Sequence, residues 1–78
     1  MLEPLPADIT VKNPKLGTVE LDLVEFGRGR WSYHLVSVGG EKVHDLCNAE
    51  PMPKKQAEKH ARYFGRTCRK DPQWGYVI

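Results

Sequence analysis

The side chains that most often perform catalysis are present, but their spacing favours no catalytic set. Ser32 and Ser37 occur with three histidines and several acids. Neither serine lies in a nucleophile elbow or a comparable setting. His34 falls on the strand face opposite Trp31 and Tyr33, which predicts a surface or edge position. We therefore expect a protein that is not an enzyme and that holds no cofactor.

Four side chains of the types that bind zinc are present at His44, Cys47, His60 and Cys68. On a strand, His44 and Cys47 point to opposite faces, and on a helix His60 lies off the side that carries Cys68. We therefore expect no metal site. In a reducing compartment the two cysteines are expected to be small buried apolar residues, and a single disulfide between them is the alternative.

Gly27-Arg28-Gly29-Arg30 is glycine-rich, yet it matches neither a Walker loop nor a dinucleotide fingerprint. Between two predicted strands it is typical of a hairpin tip, where glycines adopt positive φ. Arg28 and Arg30 could contact a phosphate or an acidic patch there. A plain hairpin tip is the alternative.

Residues 53–70 predict a helix, because small and apolar residues recur at steps of four, three and four and so share one side. We expect this helix to end near Gly65, with a looser basic tail to Lys70. The residues that form the apolar seam are Ala57, Ala61, Phe64 and Cys68.

The net charge of +2 conceals an uneven distribution. Residues 54–70 contain seven basic side chains and one acid, whereas the rest of the chain carries −4. Such a distribution favours binding in one orientation to a polyanion or to an acidic protein surface. The alternative is that the charged side of the helix is only solvated. The candidate binding residues are Lys54, Lys55, Lys59, Arg62 and Arg66 on the helix, with Arg28 and Arg30 on the hairpin tip. The candidate aromatic anchors, each of which could instead pack in the core, are Trp31, Trp74 and Tyr76.

At 78 residues the chain is long enough for one domain, over 1–78. The element order β-β-β-β-α-β predicts an α+β fold, in which a four- to five-stranded antiparallel meander carries one amphipathic helix on one face. The last strand is expected within the sheet or at its edge. The predicted strands are Ala7–Lys12, Thr18–Phe26, Trp31–Val38, Glu41–Asn48 and Gln73–Ile78.

The alternation of the second strand changes phase along its length. A β-bulge near Leu23-Val24 would turn all of its apolar residues, from Val19 to Phe26, toward the core. Aromatic residues are expected to fill much of that core. The candidates are Phe26, Trp31, Tyr33, Phe64, Trp74 and Tyr76.

The segment MPKKQAEKHA, residues 52–61, resembles the second-helix motif of double-stranded-RNA-binding domains. In that family, lysines at the start of the helix contact phosphates across a groove. The resemblance covers ten residues. It implies phosphate contacts by Lys54, Lys55 and Lys59, and direct binding of a double-stranded nucleic acid.

In size, element order and charged surface, the chain also resembles small stand-alone anti-defence proteins of phages and mobile elements, including some anti-CRISPR proteins. This resemblance implies a non-enzymatic inhibitor that blocks nucleic-acid-handling machinery as a mimic or competitor of nucleic acid. Its partner would be a protein or ribonucleoprotein complex. A homodimer paired through Gln73–Ile78 is a further possibility.

No apolar run reaches the length of about 18 residues that a membrane span needs. The first ten residues carry acids and prolines where a signal peptide would carry basic and apolar residues. We therefore expect no membrane partner and a cytoplasmic location, in the host cell if a phage encodes the protein.

Overall fold

The structure, a computed structural model, describes residues 7–46 and 50–78, and the side chains of all of these except 44–46. The first four strands form one antiparallel sheet in the order β1-β2-β3-β4, and the last two form a separate hairpin. The α+β meander with one helix on its face is confirmed. The elements are β1 (Ile9–Asn13), β2 (Gly17–Glu25), β3 (Trp31–Val38), β4 (Glu41–Leu46), α1 (Lys54–Thr67), β5 (Arg69–Asp71) and β6 (Gly75–Val77).

The loops of the sheet follow from local sequence. Gly27 and Gly29, between β2 and β3, have φ values of 85° and 67°, as the hairpin prediction requires. The loop is closed by a hydrogen bond of 2.8 Å from the Phe26 amide to the Arg30 carbonyl. A turn at Gly39-Gly40, where both glycines have positive φ, joins β3 to β4. The predicted end of β4 at Cys47 and Asn48 lies outside the described residues.

The predicted bulge near Leu23-Val24 is wrong. Glu20 pairs with Ser37 and Leu21 pairs with Leu35, so the additional residue is Val36 on β3. One extra residue reverses the alternation of the strand that contains it, which lets both Leu35 and Val38 reach the core.

The expectation that the apolar residues of the second strand all face the core is also wrong at its end. Leu23 packs partly against the core, but Phe26 is 53% exposed. Phe26 lies beyond the last paired residue, Glu25, and belongs to the hairpin tip.

The core lies between α1 and one face of β1, β2 and β3. All four residues of the apolar seam, Ala57, Ala61, Phe64 and Cys68, are buried, as predicted. The rings of Tyr33 and Phe64 meet with centroids 6.0 Å apart and planes tilted by 50°. The sheet residues of the core are Ile9, Val19, Leu21, Tyr33, Leu35 and Val38.

The prediction of an aromatic-rich core is only partly correct. Tyr33 and Phe64 are buried, and Tyr76 packs partly against the core. Trp31 is half-buried beside the helix start. Trp74 is 71% exposed, because it lies in the turn of a hairpin that is separate from the main sheet.

The predicted helix stop near Gly65 is wrong, because α1 continues to Thr67 and Gly65 is buried within it. A Cβ atom at Gly65 would collide with Val11 Cγ2 and would lie 3.0 Å from Leu21 Cδ1. The glycine is therefore needed where the helix backbone crosses β1 and β2 at close range, and not as a cap.

Asn13 joins the β1–β2 turn to the end of the helix. Its Nδ2 donates to the Gly65 carbonyl at 3.0 Å and to the Cys68 carbonyl at 2.9 Å. Its Oδ1 accepts from the amides of Lys15 at 2.9 Å and Leu16 at 3.0 Å. The buried amide thus uses both donors and an acceptor oxygen, and it satisfies carbonyl groups at the helix end.

The last strand is neither inserted in the main sheet nor added to its edge. β6 pairs with β5 instead, with Arg69 opposite Val77 and Asp71 opposite Gly75. The segment expected to be a loose tail to Lys70 therefore belongs to α1 as far as Thr67 and enters β5 at Arg69. Among the described residues, no helix combines the length and the apolar composition needed to cross a bilayer.

Candidate binding surface

The helix begins without help from capping side chains. Pro53 occupies the N-cap with no side-chain hydrogen bond, and the first turn contains no acid. The positive end of the helix dipole disfavours cations there, typically by about 0.3–1 kcal/mol each. Lys54 and Lys55 therefore lie where a helix selected for stability alone would place acids.

Four of the predicted binding residues lie in one line along the exposed side of α1. They recur at steps of four, three and four, so the helix stacks them one above another. At 1.5 Å of rise per residue the line is about 16 Å long. We call this line the basic row, and its members are Lys55, Lys59, Arg62 and Arg66, all of them exposed.

The basic row is not neutralised by the protein's own acids within residues 7–46 and 50–78. The ion pair found there joins His34 Nε2 to Asp22 Oδ2 at 3.9 Å on the sheet, away from the helix. Glu58, the acid of α1, makes no salt bridge to the row. The four cations are therefore available to an external anion.

Lys54 is placed differently from the basic row. Its Nζ lies 4.8 Å from the centroid of the Trp31 ring, within range of a cation–π interaction. Trp31 is held by two backbone hydrogen bonds to Met52, of 2.7 and 2.9 Å. Lys54 and Trp31, predicted respectively as a binding residue and an anchor, thus contact each other.

Arg28 and Arg30 are exposed at the β2–β3 tip, as predicted. Arg30 directly precedes Trp31, whose ring contacts Lys54. The hairpin tip therefore lies near the first turn of α1, and the structure places the two arginines beyond the helix start and outside the basic row.

The two other predicted anchors differ in exposure. Tyr76 is half-buried against the core, whereas Trp74 is displayed in the β5–β6 turn. Asp71 Oδ1 accepts from the amides of Gln73 at 2.8 Å and Trp74 at 2.9 Å, which fixes that turn. These two hydrogen bonds hold the pKa of Asp71 below its ordinary value, with a smaller contribution from Arg69.

Sequence reasoning missed Tyr63, which is 54% exposed on α1. Lys59, His60 and Tyr63 line an open depression of about 230 Å³ beside the basic row. The exposed position of Tyr63 could have been predicted from the sequence, because this residue lies off the apolar seam and four residues after Lys59.

The residues considered for catalysis and metal binding are described only in part. Ser37 Oγ donates to Glu20 Oε1 at 2.7 Å and so bonds an acid of the sheet. In the described part of the chain, no three potential metal ligands cluster. Cys47 and the side chain of His44 lie outside that part.

Cys68 is a buried free thiol, so it forms no disulfide. Burial raises its pKa, and hydrogen bonds, including one from Asn13, oppose that shift. The thiol form therefore predominates at neutral pH, which makes Cys68 a weak nucleophile.

Fold and surface together define a small α+β domain with one cationic helix face. Comparisons with protein families, with curated proteins and with solved structures find no match to this chain.

Proposed function

We propose that this protein is a small non-enzymatic binding protein that docks on nucleic-acid-handling machinery and blocks it sterically, in the manner of anti-CRISPR proteins. Its partner is a protein or ribonucleoprotein complex in the cytoplasm, which is that of the host cell if a phage encodes the protein. The observation that supports this most is the basic row, whose four exposed cations have no carboxylate partner among the described residues.

The basic row contributes more to association and orientation than to affinity. An exposed ion pair contributes about 0.2–1 kcal/mol, so four such pairs cannot by themselves sustain a tight complex. Complementary charge does accelerate encounter and fixes the docked orientation. Affinity must come from the surface around the row. A standard interface of about 800 Å² per partner would cover roughly one eighth of the 6110 Å² accessible surface.

A charge-reversal experiment tests this proposal. The variant combines Lys55→Glu with Arg62→Glu, and the matched control combines Lys12→Glu with Lys42→Glu, which changes two exposed lysines on strands. Each protein is expressed in cells that carry one CRISPR–Cas system of a defined panel, and the cells are challenged with a targeted phage. Native and control proteins should restore plaque formation against at least one system, and the helix variant should not.

Two results would contradict the proposal. If the helix variant inhibits as well as the native protein, the basic row is not the contact face. If the native protein relieves interference by no system in the panel, the anti-CRISPR version of the proposal is wrong.

Direct binding to double-stranded RNA or DNA is the second candidate, and the straight line of the basic row favours it. Four phosphate contacts would give a slope of about −3.6 in a plot of log K against log salt. Of the three lysines to which the local resemblance assigns phosphate contacts, Lys55 and Lys59 belong to the basic row, whereas Lys54 lies over Trp31. Gel shifts on plain duplexes, from low to physiological salt, separate the two candidates. If no duplex is retained at low salt, direct binding is excluded and a protein partner is favoured.

A further inference from the structure

An exposed aromatic ring accompanies the basic row on the same helix. Tyr63 lies four residues after Lys59 and three residues before Arg66, and side chains at these spacings are neighbours on a helix surface. Because all of them belong to α1, their relative placement does not depend on contacts between elements. More than half of the Tyr63 side chain is exposed, so folding leaves much of its apolar surface unburied.

The depression beside this ring is small. It is open to solvent, has a volume of about 230 Å³, and is lined by a cation, an imidazole and a phenol, from Lys59, His60 and Tyr63. Pockets for drug-sized ligands measure roughly 300–1,000 Å³, so this one suits a single ring-sized group and not a whole cofactor. A planar group that carries a negative charge on its flank would match both the ring and the neighbouring cations.

We infer that this surface binds single-stranded nucleic acid, with an unpaired base stacked on Tyr63 and the flanking phosphates on the basic row. This inference rests on the proposed function, since machinery that handles nucleic acid exposes such strands, and it names what the docking surface contacts. Stacking platforms combined with cationic tracks are the general means of holding single strands.

The observations favour a single strand over the two other polyanionic surfaces. A duplex keeps its base faces stacked inside and presents phosphates alone, which would leave Tyr63 without a function. An acidic protein patch would be attracted by the basic row, but it does not offer phosphates and flat rings in alternation. Tyr63 lies among the cations of one helix face, so a base stacked on it would have its flanking phosphates beside Lys59 and Arg66.

Fluorescence anisotropy with three labelled probes tests the inference. The probes are a single-stranded oligothymidylate, an abasic strand with the same number of phosphates, and a duplex. The native protein should bind the oligothymidylate more tightly than either other probe. Tyr63→Ala should weaken binding to the oligothymidylate by roughly 5- to 150-fold, the range that one lost stacking contact gives. The same substitution should leave binding to the abasic strand unchanged, and Tyr63→Phe should bind as the native protein does.

Phe26→Ala provides the matched control. Phe26 and Tyr63 are 53% and 54% exposed, so both substitutions remove an exposed aromatic ring, but Phe26 lies on the β2–β3 tip. Phe26→Ala should bind all three probes as the native protein does. Circular dichroism and thermal unfolding of each variant establish that the fold is intact.

The inference is overturned if Tyr63→Ala binds the oligothymidylate as tightly as the native protein, or if abasic strand and oligothymidylate bind equally. It is also overturned if the duplex binds best or if no probe binds at low salt. None of these results would contradict the proposed function. That proposal is tested separately by charge reversal in the interference assay, and it does not depend on Tyr63. A protein that inhibits interference through the basic row without binding oligothymidylate would keep the proposed function and exclude the single strand.

Discussion

At the scale of single residues, Asn13 shows how one side chain can decide whether two elements meet. Asn13→Ala removes five hydrogen bonds, one of them a long one to Cys68 Sγ, and takes the amide donor away from two buried carbonyl groups at the helix end. A buried unsatisfied group costs about 1–3 kcal/mol, so we expect the free energy of unfolding to fall by at least about 2 kcal/mol. Urea denaturation measures this loss.

Asn13→Asp is the matched substitution, because it keeps the shape and an acceptor oxygen but replaces the donor amide. At neutral pH its carboxylate would face the Gly65 and Cys68 carbonyls, so this variant should be less stable than Asn13→Ala. Protonation at low pH should recover part of the loss. A change below about 0.5 kcal/mol in both variants, the range of ordinary surface substitutions, would show that the link is dispensable.

Asp71 gives the β5–β6 turn a dependence on pH. Its pKa is lower in the folded protein than the ordinary 3.8, chiefly because the amides of Gln73 and Trp74 donate to the carboxylate. Its stabilising contribution is therefore present above the unfolded pKa and is lost as the pH falls through the folded pKa. We expect the amide NMR signals of Gln73 and Trp74 to shift in that acidic range. Asp71→Asn keeps an acceptor oxygen and should abolish the titration, and an unchanged titration in that variant would assign it to another group.

At the scale of the elements, the packing of α1 on the sheet depends on Gly65. Alanine is favoured over glycine by about 1 kcal/mol within a helix, so propensity alone predicts that Gly65→Ala stabilises the protein. Because the new methyl group would collide with Val11 and approach Leu21, we expect the opposite, a loss of about 1–3 kcal/mol.

A double-mutant cycle tests this reason. Val11→Ala removes the Cγ2 atom that meets the added methyl group, so Gly65→Ala should cost less in the Val11→Ala background than in the native one. Thermal or urea unfolding of the four proteins gives the coupling energy. If the losses of stability from the two substitutions are additive, a part of the structure other than Val11 accommodates the added methyl group.

At the scale of the whole molecule, the basic row and two acids of β2 lie on opposite sides of the protein. Glu20 and Asp22 alternate with the buried Val19 and Leu21, so they lie on the sheet face away from α1, and the basic row lies on the outer side of the helix. This arrangement gives the protein an electric dipole moment, which orients its approach to a charged partner. The cations of the row also repel one another, and Glu58, the acid of α1, does not form an ion pair with them.

We therefore expect salt to stabilise the protein. Raising the ionic strength from about 0.01 to 0.15 M shortens the Debye length from about 30 to 8 Å, which screens the repulsion within the row and between Lys55 and the helix dipole. The midpoint of thermal unfolding should rise accordingly. Lys55→Gln should be more stable than the native protein by about 0.3–1 kcal/mol at low salt and should respond less to added salt. Lys42→Gln, on β4, is the control, and equal effects of the two substitutions would contradict this explanation.

A gain in stability from removing Lys55 would agree with a binding role. Sites of function are where natural sequences depart from the most stable choice.

Much of the fold could be predicted because its signals are local. The alternation of β2 and β3, the glycines of the two hairpin loops and the apolar seam of α1 are patterns within a few residues of one another, and backbone geometry converts them directly into strands, turns and a helix face. The basic row is equally local, since it follows from the helical period alone. The sequence by itself therefore determined the order of the elements from β1 to α1 and the line of cations.

The tertiary structure decided which contacts join distant parts of the chain. The sequence favours a helix stop near Gly65, and only the position of Val11 beneath it shows why a glycine is needed inside the helix. The link that Asn13 makes to the helix end likewise depends on a contact between distant segments. The separate β5–β6 hairpin, the pairing of Lys54 with Trp31 and the exposure of Trp74 were likewise settled by packing. Local patterns cannot fix the contacts of Gly65, Asn13 and Lys54, because the atoms that each of them meets lie more than twenty residues away along the chain.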